Sequence, residues 1–117
     1  MRADVLRGHL DVLLLAVLEE GPLHGYAVID ELRRRSTEAF DLPEGTVYPA
    51  LHRLERAGLL ASEWHDAGGR RRRSYRLTTT GTRALGEKRA EWTRFSAAVQ
   101  HVLRPPKRQG QAWPNPA

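Results

Sequence analysis

Four arginines in a row, Arg70 to Arg73, directly follow the glycine pair Gly68-Gly69. A guanidinium is charged at every physiological pH and is fork-shaped, which suits phosphate oxygens and narrow minor grooves. Four such groups beside a glycine turn repel one another unless a polyanion sits among them. Nucleic acid is therefore the chemistry this run asks for, with Gly69, Arg70, Arg71 and Arg72 as the expected contacts. Arg73 shares a strand face with Tyr75 and Leu77, a placement that also suits pairing with a carboxylate of the domain.

A second set of residues lies between Glu44 and Ala57. At about 100° per residue, Val47, Ala50, Leu51 and Leu54 fall on one helix face. The opposite face carries Gly45, Pro49, His52 and Arg56, flanked by Tyr48 and Arg53. Gly45 and Pro49 hold no long side chain off the backbone, so the helix start, Thr46 included, can approach phosphate closely. Tyr48 can donate its hydroxyl to phosphate, and His52 and Arg53 can reach phosphate or base edges. Taken alone, this face reads equally well as an ordinary solvated surface. The arginine run shifts the balance toward double-stranded DNA.

No other constellation offers chemistry. His9, His24, His52, His65 and His101 lack metal-site spacing. There is no glycine-rich phosphate loop, nucleophile elbow or paired-carboxylate arrangement. Neither catalytic residues nor a metal nor a cofactor is expected. His24 reads as a cap or packing residue.

The elements that must position these residues follow from periodicity and punctuation. Leu6, Leu10, Leu13, Leu14, Val17 and Leu18 recur at helical spacing, predicting a helix over 7–20 that Gly21-Pro22 ends. A second helix runs from His24 or Gly25 to Arg35 with Tyr26, Ile29 and Leu32 inward, and 36–42 is a polar connection. A third spans 44–57, and Gly58 stands where a left-handed cap is wanted. Pro49 makes its start ambiguous: either Thr46 is the cap, or the first turn is distorted. Alternation over 60–65 and 71–77, around Asp66-Ala67-Gly68-Gly69, predicts a β-hairpin. A long last helix opens at Thr79 or Thr80 and runs to Leu103. Residues 104–117 hold four of the seven prolines, so they should be disordered.

Three helices, a hairpin with a basic turn and a long helix make a mainly α winged helix-turn-helix. The expected division is a DNA-binding domain over 1–78, a dimerisation helix over 79–103 and a tail over 104–117. Leu85, Trp92, Phe95, Val99 and Val102 form an a/d-like seam on that helix, broken by Lys88. A helix of roughly 25 residues extends ~37 Å, longer than the small domain can cover. A homodimer follows. It would also set two recognition helices about one DNA turn apart.

Composition agrees. The 117 residues carry 19 basic and 14 acidic side chains, a net charge of +5, and no cysteine. The pI near 10.4 favours a polyanionic partner. Disulfides and thiolate metal sites are excluded. The best apolar run, Val12 to Leu18, is too short to span a bilayer, so a cytoplasmic protein with no membrane partner is expected.

Several segments together resemble the PadR family of transcriptional regulators: Leu6-Arg7-Gly8-His9-Leu10, Gly21-Pro22-Leu23-His24-Gly25-Tyr26, the stretch Glu44 to Glu55 containing Gly45-Thr46-Val47-Tyr48-Pro49, Gly58-Leu59, and Gly69 to Thr78. The similarity covers residues 5 to 103, and the single last helix looks like the family's smaller subfamily. The resemblance implies a bacterial repressor on a palindromic operator, dimerised through the last helix with help from Leu10 and Leu14 of the first. It aligns Tyr48 with a DNA-contacting tyrosine. Some members bind phenolic acids, others planar hydrophobic drugs, and in certain small members a tryptophan of the last helix lines a pocket at the dimer centre. Trp92 occupies the similar position. It reads either as a dimer-core residue or as a wall that stacks a flat aromatic or hydrophobic effector. Two rivals stay open: a DNA-binding regulator without a small ligand, and a winged-helix module that binds acidic protein partners. For the proline-rich tail the resemblance predicts nothing.

Overall fold

The computed structural model describes residue 6 and residues 8–106. The element order is α1 (Leu10–Val17), β1 (Leu23–His24), α2 (Gly25–Arg35), α3 (Glu44–Arg56), β2 (Leu60–Ala67), β3 (Arg70–Leu77) and α4 (Thr79–Leu103). The molecule is mostly helical with one antiparallel sheet of three strands in the order β1-β3-β2.

Helix α1 is shorter than the periodicity over 7–20 suggests. Gly8 takes a left-handed φ of 87°, which breaks the helix before Leu10. At the other end, Leu18 and Glu19 donate to carbonyls three residues back, tightening the chain toward Gly21. Leu14, Leu15, Val17 and Leu18 are buried and form the centre of the core with Val28, Leu51 and Leu54.

Strand β1 is two residues long, and it pairs Leu23 with Tyr75 and His24 with Ser74. His24 then caps α2: the Ala27 N–H donates to its Nδ1 at 3.3 Å. On α2 the buried residues are Gly25, Val28 and Leu32. Tyr26, expected inward, is 59% exposed. The inward stripe follows Val28 and Leu32, one turn apart, and Tyr26 projects off it to donate its hydroxyl to Glu44 Oε1 at 3.1 Å.

Helix α3 starts at Glu44 with Pro43 as its N-cap residue, so Thr46 lies inside the first turn rather than capping it. Pro49 sits within the helix and has no N–H to give the Gly45 carbonyl. Both residues are exposed, so water can take that carbonyl's bond. Val47, Ala50, Leu51 and Leu54 are buried, as the 3.6-residue period requires.

The hairpin is longer than its alternation suggests. Its register pairs Ala67 with Arg70, which leaves a two-residue loop, Gly68-Gly69. Both glycines have positive φ, 56° and 79°, the requirement of the tightest hairpin turn that matches strand twist. Thr78 then caps α4, accepting from the Gly81 N–H at 2.9 Å. Gly81 packs so closely on the Leu59 carbonyl that a side chain there would collide with backbone. Leu85 is 1% exposed, and Arg89 forms a two-pronged pair with Glu19 at 3.0 and 3.1 Å, so the first half of α4 is docked on α1. No described helix is long and apolar enough to cross a membrane. Lys107 to Ala117, most of the tail expected to be disordered, lie outside the described residues.

Candidate nucleic-acid interface

The solvent face of α3 and the inner face of the hairpin wall one open cleft of about 640 Å³. Tyr48 and His52 line its helical side, Arg70, Arg71, Arg72 and Trp64 its wing side, and His24 its floor. Of the sequence-derived contacts, Tyr48 and His52 of the helix and Arg70, Arg71 and Arg72 of the wing are thus brought together, while Gly45, Thr46, Pro49, Arg53, Arg56 and Gly69 do not line the cleft. Gly45, Pro49, His52, Arg53 and Arg56 are exposed on α3, Thr46 and Tyr48 are half-buried, and Gly69 to Arg72 are exposed on the wing.

Each side chain is held by its neighbours. Tyr48 lies against the backbone of Gly25, in the space a Cβ there would fill. Its ring meets Tyr26 edge-on at 6.2 Å and His52 at 6.5 Å, and His52 lies 6.4 Å from Tyr75. Partial burial pushes the Tyr48 hydroxyl pKa up, so at neutral pH it stays protonated and able to donate. Arg72 Nη1 lies 3.2 Å from His24 Nε2, which places the wing beside the start of α2.

Arg73 pairs with a carboxylate, the alternative its strand face allows. Its Nη2 donates to Glu55 Oε1 at 3.0 Å, and its Nε donates to Ser62 Oγ at 2.8 Å. Ser62 Oγ in turn donates to Glu55 Oε2 at 2.6 Å. These donors, the Ser62 hydroxyl first and then the Arg73 charge, hold the Glu55 carboxyl below its usual range against the opposing effect of burial. The end of α3 is thereby cross-linked to the hairpin.

Two groups of expected residues land elsewhere. Arg53 is exposed, but its guanidinium pairs with Asp11 of α1, which engages a side chain expected to face DNA. In the expected dimer seam, Leu14 is 0% and Leu85 1% exposed within one chain, so neither has surface left for a partner. Their apolar character marks burial correctly, but inside the protomer. Leu10 and Val99 are half-buried, while Trp92, Phe95 and Val102 are exposed. Trp92 meets the edge of His9 at 5.2 Å and lies 5.9 Å from Phe95. These three rings and Val12 border a smaller cleft of about 290 Å³ between α1 and α4.

Three residues at the cleft are not evident from sequence. Trp64 follows from the register, because a two-residue loop sets it opposite Arg73. Gly25 and Tyr26 carry no signal of their own, since their roles depend on where α3 crosses α2.

Three helices, a wing sheet and a long final helix define a winged helix-turn-helix transcriptional regulator. The Transcriptional regulator PadR-like family matches residues 14–87, and the chain belongs to that family. An uncharacterized protein of Lysinibacillus sphaericus is 33% identical over 104 residues, covering 88% of this chain and 92% of that protein. Transcriptional regulator Rv3488 of Mycobacterium tuberculosis is 44% identical over 70 residues, 60% of this chain and 63% of its own. Among solved structures, a transcriptional regulator from Clostridium thermocellum superposes with a TM-score of 0.80 at 31% identity, covering 86% of this chain and 99% of that one. A PadR family transcriptional regulator from Eggerthella lenta gives 0.78 at 36% identity, covering 89% of each chain.

Proposed function

We propose that this chain is a cytoplasmic repressor that binds a palindromic operator as a homodimer and releases it when a flat aromatic or hydrophobic effector binds at the dimer centre. The observation that carries the DNA-binding part is the shared cleft: Tyr48 and His52 of α3 and three exposed arginines of the wing open onto the same space, with no acid among its lining residues. Residues 1–78 act as the DNA-binding unit and 79–103 as the dimerisation helix. Gly45, Thr46, Tyr48, Pro49, His52 and Arg56 approach the major groove, while Arg70, Arg71 and Arg72 neutralise phosphate or enter the minor groove.

Dimerisation is supported by apolar surface that a lone chain leaves in water. Phe95 is 55%, Leu103 72% and Val102 83% exposed along the outer half of α4. A stripe of that kind marks an interface. The effector reading rests on the cleft beside Trp92, where a planar ring could stack on the indole. Trp92 already has His9 and Phe95 against it, and that favours the second reading, a regulator whose aromatic seam is simply dimer core.

Sedimentation of the purified protein, with and without a labelled duplex from upstream of its gene, tests the proposal. Two chains per duplex and a footprint with twofold symmetry are expected; a monomer that leaves the duplex free at low salt removes it. Quenching of Trp92 emission by planar aromatic compounds separates the two readings.

A further inference from the structure

Trp64 is a large aromatic left 54% exposed at the edge of the wing. Its strand neighbours on the same face run from Leu60, which is buried, through half-buried Ser62, so Trp64 lies just past the core. The register places Arg73 directly across from it and Arg71 on the diagonal. Both guanidinium groups lie over the indole, Arg71 at 4.9 Å and Arg73 at 5.4 Å from the ring centre. The two arginines differ in freedom. Arg73 is pinned to Glu55 of the recognition helix and to Ser62, whereas Arg71 is exposed at the mouth of the cleft.

We propose that Trp64 is a positioning residue of the wing: its indole, stacked against the anchored Arg73, orients the Arg71 guanidinium toward the DNA backbone. The inference deepens the DNA-binding reading above and rests on it. A long arginine side chain loses rotamer freedom on meeting a phosphate, and a cation already settled over an aromatic face loses less. The chain Glu55, Arg73, Trp64, Arg71 also fixes that cation relative to α3. Helix and wing then meet the duplex as one rigid surface.

A double-mutant cycle on affinity for a mixed-sequence fluorescein-labelled duplex at low salt tests this, because a phosphate contact needs no particular operator. Trp64→Ala should weaken binding about two- to fivefold, and Trp64→Phe, which keeps an aromatic face, should weaken it less. In an Arg71→Ala background Trp64→Ala should cost nothing further. In the free protein, the Arg71 δ-protons should sit upfield in the ring current and move back in Trp64→Leu, a readout that a purely structural role would not shift. Additive effects of the two substitutions would make Trp64 a direct DNA contact and overturn the proposal, as would Arg71 δ-protons already at their random-coil shift. Wild-type protein that ignores the duplex would instead remove the DNA-binding reading itself.

Discussion

The Tyr48 ring occupies the space that a side chain at residue 25 would need. Two distant segments of the sequence, Gly25 at the start of α2 and Tyr48 in α3, are thus one device: the missing Cβ makes room for the hydroxyl end of the ring against the start of α2, where both residues line the cleft. Gly25→Ala should therefore displace the ring. We expect a loss of about 1–3 kcal/mol of stability from overpacking, and a larger proportional loss of DNA affinity than Tyr48→Phe shows. Thermal melts alongside fluorescence anisotropy check this. Unchanged affinity would detach Tyr48 from the interface.

Gly45 separates folding from binding. No atom lies within 4 Å of a Cβ built there, and the residue sits in the first turn of α3. Gly45→Ala should raise stability by about 0.5–1 kcal/mol, because alanine has less backbone freedom to lose. If the helix start approaches phosphate, the same methyl should cost about 1 kcal/mol of binding, roughly fivefold. A variant that is more stable yet binds as tightly would place the helix start away from DNA.

Two glycines of α4 should respond in opposite directions. A Cβ on Gly81 meets the Leu59 carbonyl, which is backbone and cannot swing aside, while one on Gly86 meets nothing. Gly81→Ala should cost about 1–3 kcal/mol or more, and Gly86→Ala should gain about 0.5–1 kcal/mol. Chemical denaturation of both variants reads the difference directly.

Acid should loosen the wing before the core. Glu55 is held below its usual carboxyl range in the folded state by Ser62 and Arg73. A lowered folded-state pKa contributes stability that is complete above the unfolded carboxylate range, near pH 4–5, and lost as pH falls through the folded value. The pair is partly exposed, 35% for Arg73 and 26% for Glu55, so the contribution is about 0.5–1 kcal/mol after screening. Glu55→Gln should flatten the stability profile in that window; an identical acid limb in both proteins would show that the interaction contributes nothing.

Much of this architecture is written in local pattern. The period of α3, the alternation of the strands and the opening of α4 at Thr79 are local signals, and each reads correctly to within a few residues. The features that sequence hides are non-local. A two-residue strand such as Leu23–His24 has no period to detect. Tyr26 reads as inward because aromatic character implies burial, yet an amphipathic ring can lie at the surface when a carboxylate such as Glu44 accepts its hydroxyl. Leu14 and Leu85 are apolar for the protomer's own core, and sequence cannot separate that from burial against a second copy. The pairing of Arg53 with Asp11 joins residues 42 positions apart, beyond any periodicity.

The salt dependence of duplex binding, compared between wild type and the Arg71→Ala/Arg72→Ala variant, bears most directly on the claim that the wing and α3 form a DNA interface. Each phosphate contact removed should make the log–log slope less steep by about 0.9, about 1.8 for the pair, so the variant should bind more weakly at low salt and converge toward wild type as salt rises. Two parallel lines, or a wild-type protein with no affinity even in dilute buffer, would contradict it.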